Sequence, residues 1–314
     1  MRTSIAPMLD WTTPQCRRLH RIFTEKTELY SEMISTGAII HGDTHRHLNH
    51  HHDEPCVLQL GGGKPDELAQ ACEKALCYGY SAFNLNAGCP SDRVQNNKIG
   101  ACLMLEPSLI AECLSAMQSV SNTPVTLKHR LGIDEQDERQ VLSFIETIMS
   151  ESPCRYFIVH ARKAWLKGLS PKENREIPPL NYHLVYEAKR LFPEATIILN
   201  GGVENFEQIQ QHLEHVDGVM IGRAAYHNPE IMLQFDTLYG LPAKRFEDVL
   251  PQIRQCLENA LANGETLSSY TRHLLGLFSG KAGAKQFRRI LSEETRTPDA
   301  GIELWDKALL SLVN

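Results

Sequence analysis

The 314-residue sequence has no apolar run of about 18 residues, the length a helix needs to cross a bilayer, which excludes a membrane-spanning helix. Its first residues, Met1-Arg2-Thr3-Ser4-Ile5, show no apolar stretch of signal-peptide length. Its nine cysteines (16, 56, 72, 77, 89, 102, 113, 154 and 256) form no C-x-x-C pair and are odd in number. A disulfide framework or a cysteine zinc site is therefore not expected, and a cytoplasmic, reducing setting is. There is no solenoid repeat, and the only biased tract is His41 to His52, with six histidines. His41 and His45 would suit one helical face, but an exposed loop without a resident metal is the expected state.

The composition, 42% hydrophobic and 22% charged, is that of an ordinary globular chain, large enough for one α/β domain and a small second one. The net charge of −6 does not by itself suggest a nucleic-acid partner. It is, however, unevenly spread. Residues 244–289 hold eight Lys or Arg against four Asp or Glu, a net +4 that leaves −10 for the rest. Such a cluster is either a solvated helical face or a basic docking surface.

Eight short β-rich runs are bounded by Pro, Gly or Asn: Ser4–Met8, Glu28–Met33, Cys56–Leu60, Ala82–Leu85, Val125–Lys128, Tyr156–His160, Thr196–Leu199 and Gly218–Ile221. Between them lie stretches of helical periodicity, such as Asp66–Tyr78, Leu109–Val120, Glu138–Met149 and Tyr182–Leu191. Alternating strands and helices imply a parallel sheet, and eight units fit a closed (β/α)8 TIM barrel. A doubly wound sheet usually carries G-x-G-x-x-G after its first strand, and none is there. After Tyr239-Gly240-Leu241-Pro242 the pattern is helical only, with Val249–Leu261, Ser269–Phe278, Lys285–Leu291 and Ile302–Leu312. A barrel over residues 1–240 and a small all-helical domain over 241–314 are expected.

In such barrels chemistry gathers at the C-terminal ends of the strands. Those ends read Pro7-Met8-Leu9-Asp10, Glu32-Met33, Gln59-Leu60-Gly61-Gly62, Asn84-Leu85-Asn86-Ala87-Gly88-Cys89-Pro90, Lys128-His129-Arg130, His160-Ala161-Arg162, Asn200-Gly201-Gly202 and Gly222-Arg223. Nearly every one delivers a polar or reactive group, which a purely structural barrel does not need. The glycines after strands seven and eight are either tight turns or a phosphate cradle, and their pairing favours the cradle. Lys128 and His160 face the same mouth, and Gln59 and Asn86 can hydrogen-bond a heterocycle edge. No His/His/carboxylate set with metal spacing appears, so a phosphorylated aromatic cofactor fits better than a metal. Cys89, between Gly88 and Pro90, is either a small buried hydrophobe or a proton donor, since a free thiol is largely protonated at neutral pH.

The run from Asn84 to Ser91 resembles the signature of the tRNA dihydrouridine synthases. The motifs at Pro7–Thr12, Gln59–Gly62, His160–Arg162, Asn200–Gly202 and Gly222–Arg223 match in order. The 14-residue run from Lys167 to Leu180, and Thr271 to Phe278, resemble the A subfamily of the bacterial enzymes. Thr13 departs from the family, whose members tend to have Asp there. The resemblance covers almost the whole chain. It implies an FMN-binding barrel, a helical tRNA-binding domain, NADPH as reductant, and reduction of uridine C5–C6 to dihydrouridine in the tRNA D-loop at positions 20 and 20a. It further implies that Pro7, Met8, Leu9, Gln59, Lys128 and His160 contact FMN. Asn200, Gly201, Gly202, Gly222 and Arg223 would bind its phosphate end, and Cys89 would be the catalytic proton donor. Asn86, Lys172, Arg175, Lys285 and Arg288 would contact tRNA. A monomer is expected.

The residues agree with this. Lys285, Arg288 and Arg289 share one helical face, and Phe287, Ile290 and Leu291 lie opposite. Lys163, Lys167, Lys172 and Arg175 add a basic patch after strand six, with Trp165 as packing anchor or stacking platform. Two rivals remain: a flavin barrel acting on a free pyrimidine, and an RNA-binding barrel that has lost catalysis. The first does not need the basic helical domain. The second would show decay at Cys89, Lys128 or the glycine pairs, all of which are intact.

Overall fold

The computed structural model describes residues 2–91, 99–297 and 299–312. Eight strands form one sheet: β1 (Arg2–Ile5), β2 (Leu29–Ser35), β3 (Cys56–Gly61), β4 (Ala82–Ala87), β5 (Val125–Arg130), β6 (Tyr156–His160), β7 (Thr196–Asn200) and β8 (Gly218–Ile221). Neighbours pair in parallel in the order β1-β8-β7-β6-β5-β4-β3-β2. The ring closes between β1 and β2 through an isolated bridge, Ser4 to Glu28. There Ile5 N–H donates to Glu28 O at 2.9 Å and Glu28 N–H to Thr3 O at 3.0 Å. The fold is the expected TIM barrel.

Helices alternate with the strands: α1 (Pro14–Phe23), α2 (Thr36–His41), α3 (Thr44–Leu48), α4 (Pro65–Ala75), α5 (Pro107–Ser119), α6 (Glu138–Glu151), α7 (Tyr182–Leu191), α8 (Phe206–Leu213) and α9 (Arg223–His227). Their starts are written locally. Proline opens α1, α4 and α5, where its missing N–H has no partner to lose. Asp137 and Gln140 form a capping box on α6, and Asn181 and Asn205 cap α7 and α8.

Three local expectations are corrected. The first strand ends at Ile5 rather than Met8. Pro7 cannot donate to a ladder, and Met8 O instead accepts from Trp11 N–H at 3.1 Å and Thr12 N–H at 2.9 Å, which makes a tight turn. The histidine tract is exposed at five of its six histidines, as expected, but it is not a loop. It forms α2 and α3, which separate His41 from His45, and then buries His50. His50 Nδ1 lies 2.7 Å from Asp53, and Asp53 is also paired with buried Arg17 at 2.6 Å. His50, Asp53 and Cys56 bring donor atoms within 4.8 Å of one another, but the Arg17 guanidinium already neutralises the one carboxylate there.

The third correction lies beyond Tyr239, where the described residues hold helices and turns: α10 (Phe246–Ala262), α11 (Leu267–Thr271), α12 (Ala284–Glu293) and α13 (Glu303–Leu310). The helix expected over Ser269–Phe278 stops at Thr271. Gly276 presses against the backbone of His227, where a Cβ would collide with the carbonyl, and Phe278 takes a left-handed φ of 59°. A continued helix could not make that approach. Phe287, Ile290 and Leu291 are buried with Trp305, while Lys285, Arg288 and Arg289 face solvent. No helix among the described residues is long and apolar enough to cross a membrane.

The segment just before this region fastens the barrel. Tyr239 Oη accepts from Thr3 N–H at 2.8 Å. Buried Asp236 accepts from the Thr24 hydroxyl at 2.7 Å and from the backbone N–H groups of Glu25 and Lys26 at 2.8 and 3.1 Å.

Candidate active site

Alternate side chains of a strand point to one face, so each strand writes a short series into the barrel. Val57, Ala82, Ile158, Ile198 and Met220 form an apolar plug with Ala6 and Tyr30. Two residues further along, the same faces carry Gln59, Asn84, His160, Asn200 and Gly222. The barrel therefore changes from apolar to polar within one pleat. Above the plug opens a cleft of about 1870 Å³. It is lined by Pro7, Met8, Leu9, Gln59, Lys128, His160, Asn200, Gly201, Gly202, Gly222 and Arg223, with Asn86, Cys89 and Arg175. Lys172, Lys285 and Arg288 lie outside that lining.

The floor is a chain of amides. Gln59 Nε2 donates to Asn84 Oδ1 at 2.8 Å, Asn84 Nδ2 to the Thr126 hydroxyl at 2.9 Å, and Asn86 Nδ2 to Gln59 Oε1 at 2.9 Å. Asn86 Oδ1 accepts from the N–H groups of Gly88 and Cys89, both at 3.0 Å. One side chain thus links the floor to the loop that holds the thiol. Cys89 is half-buried, and its Sγ lies 3.6 Å from the Ser91 hydroxyl. Arg130 fixes the same loop from the other side. Its Nε donates to Gly88 O at 2.9 Å, and its Nη1 to Lys163 O and Asn174 O, also at 2.9 Å.

On the opposite wall Lys128 Nζ donates to Asn200 Oδ1 at 3.0 Å, and Asn200 Nδ2 donates to Met220 O at 2.8 Å. Lys128 is half-buried and walled in by protein. Burial, with Arg130 adding repulsion, brings its ammonium down to about 7. His160 is held well below the usual imidazole range, first by burial and then by Arg130 and Lys128. It is therefore neutral, and its buried Nδ1 has no partner among the described residues. The His160 ring stands against Gly201, where a Cβ would sit 3.3 Å from Nε2. Gly201 and Gly202 have φ of 109° and 71°, values that suit glycine. Arg223 pairs with Glu176 at 2.9 Å, half exposed, and Arg175 is depressed by burial and by Arg223. The cleft therefore gathers Lys128, Arg130, Arg175 and Arg223 around a backbone cradle, an arrangement that suits an anion.

A family model described as Dihydrouridine synthase (Dus) matches residues 4–313. The tRNA-dihydrouridine(20/20a) synthase of Vibrio cholerae is 49% identical over 315 residues, covering 99% of this chain and 96% of its own. The Escherichia coli protein of the same name is 48% identical over 312 residues, covering 98% and 90%. The chain belongs to the dihydrouridine synthase family. Among solved structures, an old yellow enzyme homologue from Zymomonas mobilis aligns with a TM-score of 0.52 at 12% identity, over 79% of this chain and 91% of its own. Morphinone reductase aligns with a TM-score of 0.52 at 12% identity, over 78% and 87%. These two show the barrel fold alone.

In this dihydrouridine synthase family member, Asn84 and Thr126 lie beneath the cleft lining and support Gln59, although sequence reasoning did not single them out. Period two counted from Gln59 and Asn86 would have found Asn84. Arg130 stood in a strand-end motif, but its three carbonyl partners come from the loops after β4 and β6, which no local pattern announces. His129, between Lys128 and Arg130, points the other way, onto Phe144 and Phe157.

Lys128 generates a pH prediction. Its pKa is lower in the folded chain than in the unfolded one, so the unfolded state binds the extra proton between about pH 7 and pH 10.5. Stability of the ligand-free chain therefore rises with pH through that window. Lys128→Met removes the buried charge, so the variant gains most below pH 7 and the rise flattens. Urea unfolding from pH 6 to 10 checks this, and parallel wild-type and variant profiles would contradict it.

Proposed function

We propose that this chain is an FMN-dependent tRNA-dihydrouridine(20/20a) synthase, reducing uridine in the tRNA D-loop with NADPH as reductant. The observation that carries this is the 48–49% identity over nearly the full length to enzymes of that name, joined to a cleft lined by the proposed cofactor residues and by Cys89. Residues 1–240 would be the catalytic barrel and 241–314 the tRNA-binding domain.

The cleft fits the proposed flavin. The unpartnered His160 Nδ1 calls for a hydrogen-bonding ligand. The Gly201-Gly202 cradle and the basic rim suit a phosphate, and the Gln59–Asn86 edge suits a polar heterocycle. Pro7, Met8, Leu9, Gln59, Lys128 and His160 would hold the ring system. Asn200, Gly201, Gly202, Gly222 and Arg223 would hold the phosphate end, with Arg223 exchanging Glu176 for it. When bound and reduced, FMN supplies the hydride that uracil accepts at C6.

The chain's own residues do the rest. Cys89 gives its Sγ proton to uracil C5, so one hydride and one proton saturate the bond. Asn86 and Arg130 hold the Cys89 loop against the floor, and Asn86 also meets the base. Unstacking a nucleotide costs a few kcal/mol, which phosphate contacts from Lys172, Arg175, Lys285 and Arg288 offset. Exposed Lys285 and Arg288 on α12 support this, because their face has no packing role.

Three outcomes are expected. The purified protein shows a flavin spectrum that bleaches anaerobically with NADPH and returns on adding unmodified tRNA; a colourless chain that cannot be reconstituted with FMN would overturn the reading. Cys89→Ala takes up FMN but forms dihydrouridine at least about a hundredfold more slowly, the scale of a lost general acid, as mass spectrometry of digested tRNA would report. Lys285→Ala with Arg288→Ala weakens tRNA binding and lowers the slope of log affinity against log salt by about 2, one for each phosphate contact. An unchanged slope would assign that face to solvent.

A further inference from the structure

The turn after β1 is gripped from three directions. Arg17 Nη1 donates to Thr12 O at 2.7 Å from below. Glu32, in the middle of β2, accepts from Asp10 N–H at 2.6 Å. The third grip comes from far along the sequence. Arg272 Nη2 donates to Asp10 O at 3.1 Å, and His273 Nε2 lies 3.0 Å from the Thr13 hydroxyl. Asp10 itself sits at φ 63°, a backbone state that a non-glycine residue keeps only when its surroundings hold it.

The helical region also reaches the other side of the cleft. His273 Nδ1 lies 3.1 Å from Tyr226 Oη on α9, the helix that begins at Arg223. The Tyr226 ring stacks on Trp11, in the β1 turn, at 4.3 Å and 12°. Gly276 abuts the His227 carbonyl. Buried His273 thus touches the loop after β1 with one nitrogen and the segment after β8 with the other. Burial first, and then Arg272, bring its pKa down to about 4. The ring is neutral at pH 7, so one nitrogen donates and the other accepts.

We infer that Arg272 and His273 are positioning residues that make the helical region part of the cofactor site, coupling RNA docking on that region to flavin binding in the barrel. This rests on the flavin and tRNA reading above. The β1 turn carries Pro7-Met8-Leu9 at the proposed ring end of the site, and α9 follows Gly222 and begins with Arg223 at the proposed phosphate end. A neutral side chain bonded to both fixes their spacing. Coupling of this kind is reciprocal, so FMN and tRNA each tighten the other's binding by the same factor.

The test uses full-length protein carrying Arg272→Gln or His273→Phe, with Arg272→Lys as the conservative variant. Hydrogen–deuterium exchange of the peptide over residues 8–13, in flavin-free protein, reads the turn without depending on any ligand. FMN affinity, with and without unmodified tRNA, reads the coupling. Both disruptive variants should exchange about tenfold faster in that peptide and bind FMN about fivefold more weakly, the lower end of typical coupling. They should also lose the tightening by tRNA, and Arg272→Lys should restore it. Unchanged exchange overturns the grip. Faster exchange or lower urea stability with wild-type FMN affinity overturns the coupling, because a merely structural contact does not move ligand affinity. Failure of wild-type protein to take up FMN overturns the flavin reading and the coupling together, while exchange still reports the turn.

Discussion

A buried amide in a barrel must find both a donor and an acceptor, and Asn84 is where this chain meets that demand. It is fully buried, accepts from Gln59 and donates to Thr126. An unmatched amide at that depth would cost about 1–3 kcal/mol. The pairing therefore fixes the relative register of β3, β4 and β5 as well as satisfying the polar atoms. Everything functional stands on that level. Gln59 and Asn86 are oriented by it, Asn86 carries the orientation to the Gly88 and Cys89 N–H groups, and the thiol's position follows from a hydrogen-bond chain that begins in the floor.

The opposite wall works by a different means. Among the described residues Lys128 and His160 are kept short of partners, with one hydrogen bond from the lysine to the Asn200 amide oxygen and an empty Nδ1 on the histidine. A half-buried ammonium depressed to about 7 and a neutral imidazole are costly arrangements. A fold tolerates them where a ligand later satisfies them. One half of the cleft is thus satisfied within the protein, and the other leaves polar groups for a ligand.

Much of this was legible in the sequence, for reasons specific to parallel barrels. The strand cores are short apolar runs, and the polar residues begin where each run ends, so strand ends and site residues are marked by the same break. Cys56–Leu60, Tyr156–His160 and Gly218–Ile221 were readable to within a residue. What stayed hidden depends on contacts far apart in the chain. The stop of α11 at Thr271 is set by Gly276 meeting His227, and the burial of His50 by Asp53 and Arg17. A histidine tract looks hydrophilic until a buried carboxylate is found for one member.

The barrel's ring is not uniform. Seven of its junctions are ladders of several residues, while β1 meets β2 through a single bridge. That junction is a seam. Tyr239 holds one side of it at Thr3, and Asp236 holds the other at Thr24 to Lys26, so the last stretch before the helical region serves as a hoop drawn across the staves. Sideways breathing of the barrel would begin at this seam, and the hoop ties its resistance to a segment that belongs to no strand. A shift of only a few residues before Tyr239 would undo the closure, and Lys244, which donates to Ile22 O at 3.0 Å and to Leu233 O at 2.9 Å, carries the same hold a few residues further.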